Sequence, residues 1–111
     1  MNIQIFGKSK CFDTQKAMRY FKERNIRFQS IDLKRYGMSK GEFNSIKAAV
    51  GDINELIDYK IEEAALLKYL AQESAKEEKL LENSLLFKTP IVRNGRLATV
   101  GYKPEIWKTW E

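Results

Sequence analysis

Cys11 is the only cysteine in this chain of 111 residues, and the chain contains no histidine. These two facts narrow the available chemistry. A Cys–His nucleophilic pair and a His-ligated metal are both excluded, and one thiolate does not build a zinc site of the usual kind. What remains is a thiol whose reactivity depends on how readily it loses its proton. The stretch around it, "GKSKCFDTQK" at residues 7–16, favours the charged form. Lys8 and Lys10 add positive charge to the same loop. Thr14 follows three residues later, a spacing that brings its hydroxyl near the sulfur in the first turn of a helix. Asp13 either opposes the thiolate or caps the helix. A lone cysteine is often just a small buried side chain, so the expectation of a nucleophile rests on which elements flank Cys11.

"NIQIF", residues 2–6, alternates Ile3 and Ile5 with polar neighbours and reads as a first strand that Gly7 breaks. From Asp13 the spacing turns helical, with Ala17, Met18 and Phe21 on one face. "IRFQSIDL", residues 26–33, is rich in β-branched and aromatic residues and reads as a second strand. A strand, a helix and a strand this close together form a βαβ unit with parallel strands. Cys11 then falls at a strand–helix junction. There, the unpaired N–H groups and the positive end of the helix dipole favour a thiolate.

Ser39 and Glu42 form a capping box that opens another helix, and Gly51 ends it. "EEAALLKYLAQE" and "AKEEKLLENSLL" continue in helical spacing, with Leu66, Leu67, Leu70 and Ala71 expected as a buried face. Residues 39–84 therefore read as a helical insert. In "TPIVRNGRLATVG", residues 89–101, Asn94-Gly95 lies between two β-rich runs and predicts a hairpin turned at that pair. Pro90 cannot donate to a sheet ladder and belongs at a strand's start. Pro104 and Glu105 suit the first turn of a last short helix. The expected fold is α/β, in one domain spanning 1–111. It is a thioredoxin-like mixed four-stranded sheet (β-α-β, then β-β-α) with the helical insert at about 39–84.

Hydrophobic residues make up 43% and charged residues 32% of the chain, an ordinary globular composition. No run approaches the roughly 20 apolar residues of a membrane helix, and the N-terminus lacks a signal peptide's apolar stretch. With one cysteine no internal disulfide forms, so a reducing, cytoplasmic setting is expected; no membrane association and a monomer are expected as well. The net charge of +5 is uneven, with +7 over residues 1–50, −5 over 51–85 and +3 over 86–111. Basic flanks favour an anion or an acidic partner, or are simply a solvated surface. No nucleic-acid-binding motif is present, so no direct nucleic-acid partner is expected.

Two blocks, "FGKSKCFDTQKA" at 6–17 and "LLFKTPIVRNGRLATVGYKPEIW" at 85–107, resemble the arsenate reductase (ArsC)/Spx family of thioredoxin-fold proteins. The resemblance implies that Cys11 is the nucleophile and that Pro90 is the cis-proline facing it. It also implies a catalytic role for Thr14 and a substrate-binding set of Lys8, Lys10, Lys60, Thr89 and Pro90. There are departures from the family pattern. Thr14 stands where a second cysteine would make a dithiol switch. Thr89 stands where an arginine precedes the proline. Lys60 occupies the place of an insert arginine, and Gly101 and Tyr102 replace a third. An arginine fork grips an oxyanion's oxygens in pairs, whereas lysine acts as a point charge. Arg93 and Arg96 flank the hairpin turn and read as surface charges. The implied function is that of an arsenate reductase-like monothiol oxidoreductase without metal or bound cofactor. Glutathione as co-substrate, or a glutaredoxin-like partner, would resolve the Cys11 adduct. The alternatives are an Spx-like regulator docking on RNA polymerase and a non-catalytic family member.

Overall fold

The computed structural model describes residues 1–111. Its centre is one mixed sheet of β1 (Ile3–Gly7), β2 (Phe28–Asp32), β3 (Ile91–Asn94) and β4 (Leu97–Val100), in the order β2-β1-β3-β4. β1 pairs with β2 in parallel, placing Ile3 beside Phe28, and with β3 antiparallel, placing Phe6 beside Ile91. β3 and β4 form the antiparallel hairpin.

Period-two alternation along β1 sends side chains to two different cores. Ile3 and Ile5, with Val92 of β3, pack beneath α1 (Phe12–Glu23) and the short α6 (Pro104–Trp107), against Ala17, Tyr20, Phe21 and Trp107. Phe6 and Ile91 face the other way and meet the insert, where Phe43, Ile46, Leu56, Ile57, Leu80 and Phe87 are buried. Both faces of the sheet are thus covered, and Cys11 emerges where the polypeptide leaves β1 for α1.

The insert is built from α2 (Leu33–Tyr36), α3 (Lys40–Val50), α4 (Glu62–Ala65) and α5 (Glu73–Glu82), with a single 3₁₀ turn after each of α3, α4 and α5. Ser39 Oγ accepts from the Glu42 N–H at 3.1 Å and Glu42 Oε1 accepts from the Ser39 N–H at 2.9 Å, so both halves of the capping box form. Gly51 closes α3 at φ 94°, a left-handed conformation that favours glycine.

Several boundaries differ from the sequence expectation, each for a local reason. β1 runs through Gly7, which pairs with Asp32 rather than breaking the strand. The second strand covers only Phe28–Asp32, because Asp32 caps α2 by accepting from the Lys34 N–H at 3.0 Å. The hairpin turns at Gly95-Arg96, not Asn94-Gly95. Asn94 is the last paired residue, opposite Leu97, and only Gly95 has positive φ, 59°. One glycine in the first central position is the requirement of a type II′ turn. In the insert, Leu66 and Ala71 are exposed while Leu67 is buried and Leu70 half-buried. The 3₁₀ turn at Leu66–Tyr69 ends the regular 3.6-residue spacing after α4, so the extrapolated apolar face rotates away. In α1 the buried face is Thr14, Ala17, Tyr20 and Phe21, with Met18 only half-buried. No helix is long and apolar enough to cross a membrane.

Candidate active site

Cys11 is the N-cap residue of α1. Its backbone is extended (φ −90°, ψ 116°), and its carbonyl accepts from the Gln15 N–H at 3.2 Å. Its side chain makes no capping bond, so the sulfur is not committed to the helix end. Sγ is partly exposed and lies 3.6 Å from the Thr89 carbonyl oxygen, to which the thiol form donates. Residues 78 positions apart are thus brought together by the pairing of β1 with β3.

The Cys11 thiol lies below its ordinary pKa. Partial burial opposes this, but hydrogen bonding to the thiolate from the Thr14 side chain, the Thr89 side chain and the backbone N–H groups of Thr14 and Asp13 outweighs it. The Thr14 hydroxyl is buried and has no hydrogen-bond partner within the protein, so its proton is free to turn toward the sulfur when the thiolate forms. Thr14 reaches this position because β1 ends in Gly7. A Cβ at Gly7 would overlap the Thr14 methyl and stand 2.9 Å from its hydroxyl oxygen.

The Thr89–Pro90 peptide bond is cis. Pro90 is buried, and its carbonyl accepts from the Gly101 N–H at 2.8 Å, tying it to the end of β4. Thr89 is different. Its N–H makes no hydrogen bond within the protein, and its carbonyl meets only the Cys11 thiol. Both groups are free to pair with an extended chain arriving at the sulfur.

Cys11 opens into a cleft of about 880 Å³ between the sheet's end and the insert. Its ionisable lining besides Cys11 and Tyr102 consists of Lys60, Lys88 and Lys103 on one side of the balance and Asp13, Glu55 and Asp58 on the other, with no arginine. The expected residues are therefore only partly assembled. Cys11, Thr89 and Lys60 line the cleft, and Thr14 and Pro90 lie buried just behind it. Lys8 is half-buried. Desolvation lowers its pKa, while Asp58 and Cys11 raise it. Lys10 is exposed and lines no part of the cleft. The thiol pKa is lowered by hydroxyls and backbone N–H groups, and of the two loop lysines only Lys8 is coupled in charge to Cys11. Arg93 is held by Gln4 and the Gly95 carbonyl, and Arg96 is exposed. Neither reaches the cleft.

Sequence reading missed the acidic wall of Glu55 and Asp58, because nothing local marks residues so distant in sequence as neighbours of Cys11. Lys88, adjacent to Thr89-Pro90, carried a usable signal through its position alone. No group of Cys, Asp or Glu converges as a metal site.

This sheet, with a cysteine at the head of the first helix and a cis-proline opposite, defines a thioredoxin-like fold. The NrdH-redoxin of Escherichia coli superposes with a TM-score of 0.53 at 16% identity over 100% of this chain and 96% of that one. Agreement is closer with two other structures. A Bacteroides fragilis structure described as an ArsC family related protein matches with a TM-score of 0.81 and 23% identity, covering 100% of this chain and 98% of that chain. An arsenate reductase from Vibrio cholerae matches with a TM-score of 0.84 and 21% identity, covering 96% and 94%. No family model and no curated protein matches the sequence.

Proposed function

We propose that this chain is a monothiol oxidoreductase of the arsenate reductase type, with Cys11 as its nucleophile. The observation that carries the reading is the Cys11 sulfur itself, at the head of α1, uncommitted to the helix cap and set against the carbonyl of the cis Thr89–Pro90 bond. The Cys11 thiolate attacks one sulfur of a disulfide, forms a mixed disulfide and expels the other sulfur as thiolate. A second thiolate must then attack that mixed disulfide and restore Cys11, because the chain holds no other cysteine. Glutathione, or a glutaredoxin-like partner in a reducing compartment such as the cytoplasm, supplies that thiol.

The charge-balanced cleft favours a disulfide over a free oxyanion as the electrophile. Three lysines facing three carboxylates leave little net attraction for arsenate, and no guanidinium fork is present to hold its oxygens. The test is glutathione-dependent reduction of bis(2-hydroxyethyl) disulfide, run beside arsenate reduction with glutathione and glutaredoxin. Turnover of the disulfide, faster than that of arsenate and abolished in Cys11→Ser, is expected. Equal rates for Cys11→Ser and the unmodified protein would overturn the assignment of Cys11. Arsenate as the better substrate would overturn the preference for disulfides.

A further inference from the structure

A second groove, of about 310 Å³, runs between α1 and the C-terminal segment. Lys16, Arg19, Tyr20 and Glu23 recur along one face of α1 with Arg24 at its C-cap, and Tyr102, Pro104 and Lys108 form the opposite wall. Four of the five charged residues that line it are cations, and none of the four is in an ion pair. The Arg24 guanidinium carbon lies over the Tyr20 ring, 3.7 Å from its centroid, and Lys16 Nζ stands 5.7 Å from the Tyr102 ring centroid. The Tyr20 hydroxyl is buried and has no hydrogen-bond partner. Arg24, Glu111 and Tyr102 all lie close enough to this phenol to act on its charge.

Tyr102 lines both this groove and the Cys11 cleft. The two therefore adjoin at Tyr102, with a charge-balanced lining on the sulfur side and a basic one beyond it. At the sulfur end Thr89 offers an unbonded N–H and a carbonyl that is released when the Cys11 thiol loses its proton, the pair an extended chain would use. A peptide that aligns there lies in the cleft that Tyr102 also lines. Unpaired cations in a concave site attract a chain of the opposite sign and raise its rate of arrival.

We propose that the partner reacting at Cys11 is an acidic peptide segment bearing the disulfide, whose carboxylates lie across Tyr102 in the groove of Lys16, Arg19, Arg24 and Lys108. This rests on the reading of Cys11 as the nucleophile. In the step itself the Cys11 thiolate bonds to the peptide's sulfur, the peptide's S–S bond breaks, and its former partner leaves as a thiolate.

The probes are two short cysteine peptides, one flanked by Asp and Glu and the other by Lys, each activated as the mixed disulfide with thionitrobenzoate. Release of the coloured thiolate gives the rate, which is divided by the same protein's rate with neutral iodoacetamide. The acidic peptide is expected to react about tenfold faster than the basic one at low salt. The preference should fade toward 1 M salt, where the screening length falls to about 3 Å, and should reverse in Arg19→Glu/Lys108→Glu. Equal normalised rates for the two peptides, or a preference that the double variant retains, would overturn the proposal. A fluorescein-labelled acidic peptide without cysteine, followed by anisotropy, separates the two readings. Slow alkylation with tight binding of this peptide removes the nucleophile and keeps the groove. Fast alkylation with no salt-sensitive binding does the opposite.

Discussion

Replacing Trp107 with alanine is expected to destabilise the protein by about 3–5 kcal/mol, the range for deleting a large aromatic side chain from a packed interior. Trp107 is fully buried. Its ring meets Tyr20, Phe21 and Tyr102 at centroid separations of 5.2, 5.1 and 5.5 Å, mostly edge-on, the geometry aromatic quadrupoles prefer. Its Nε1–H donates to the Thr99 hydroxyl at 2.8 Å, joining the C-terminal helix to β4. Alanine would leave both a cavity and a buried hydroxyl without its partner. Against a total stability of roughly 5–15 kcal/mol for a domain, that is a large fraction. Urea denaturation should show the midpoint falling with little change in slope. Trp107→Phe, which keeps most of the ring, should lose only about 1–3 kcal/mol through the orphaned Thr99 hydroxyl. An alanine variant within 1 kcal/mol of the unmodified protein would contradict this packing.

The second large effect is expected from one methyl group. Gly7→Ala places a Cβ into Thr14, overlapping its methyl and lying 2.9 Å from its hydroxyl oxygen and 3.2 Å from its Cβ. Thr14 is buried on a helix that packs on β1, so neither side gives way freely. Overpacking of this kind costs about 1–3 kcal/mol. It should also slow the Cys11 reaction, because the displaced hydroxyl is a principal donor to the thiolate. Thr14→Ala in the same chain removes the two closest atoms. The double variant should therefore be more stable than the sum of the single changes predicts, the signature of direct contact. Additive losses would show that Gly7 is needed for some other reason.

The sequence made the sheet and the cysteine's location readable because both are local patterns. Ile3 and Ile5 alternate, Ser39 and Glu42 carry a complete cap, and Pro90 and Pro104 mark the starts of elements. What it did not disclose follows from competition between neighbours. Asn94-Gly95 looked like the turn, but Asn94 was claimed by the ladder opposite Leu97, leaving Gly95-Arg96 to turn the chain. Leu66 looked buried because helical spacing was carried through a segment where the helix tightens and ends. At the site, Cys11, Thr14 and Thr89 were named from spacing and from the resemblance. Glu55, Asp58 and Lys103 were not, because their approach to Cys11 depends on how the insert and the last loop close over the sheet. Of the loop lysines expected to lower the thiol pKa, Lys10 extends into solvent and Lys8 is coupled to Cys11, while hydroxyl and backbone donors account for the lowering.

The most direct measurement is the rate of Cys11 alkylation by iodoacetamide as a function of pH. Every modified molecule reports on the same sulfur, since the chain has one cysteine. A lowered pKa means the proton leaves earlier as pH rises, so the thiolate and the rate reach half their limit at a lower pH than in an unstructured cysteine peptide measured alongside. Thr14→Val keeps the side chain's shape, removes the hydroxyl and should move that midpoint upward. A midpoint at or above the peptide's, unmoved by Thr14→Val, would contradict the account of Cys11 as an activated nucleophile.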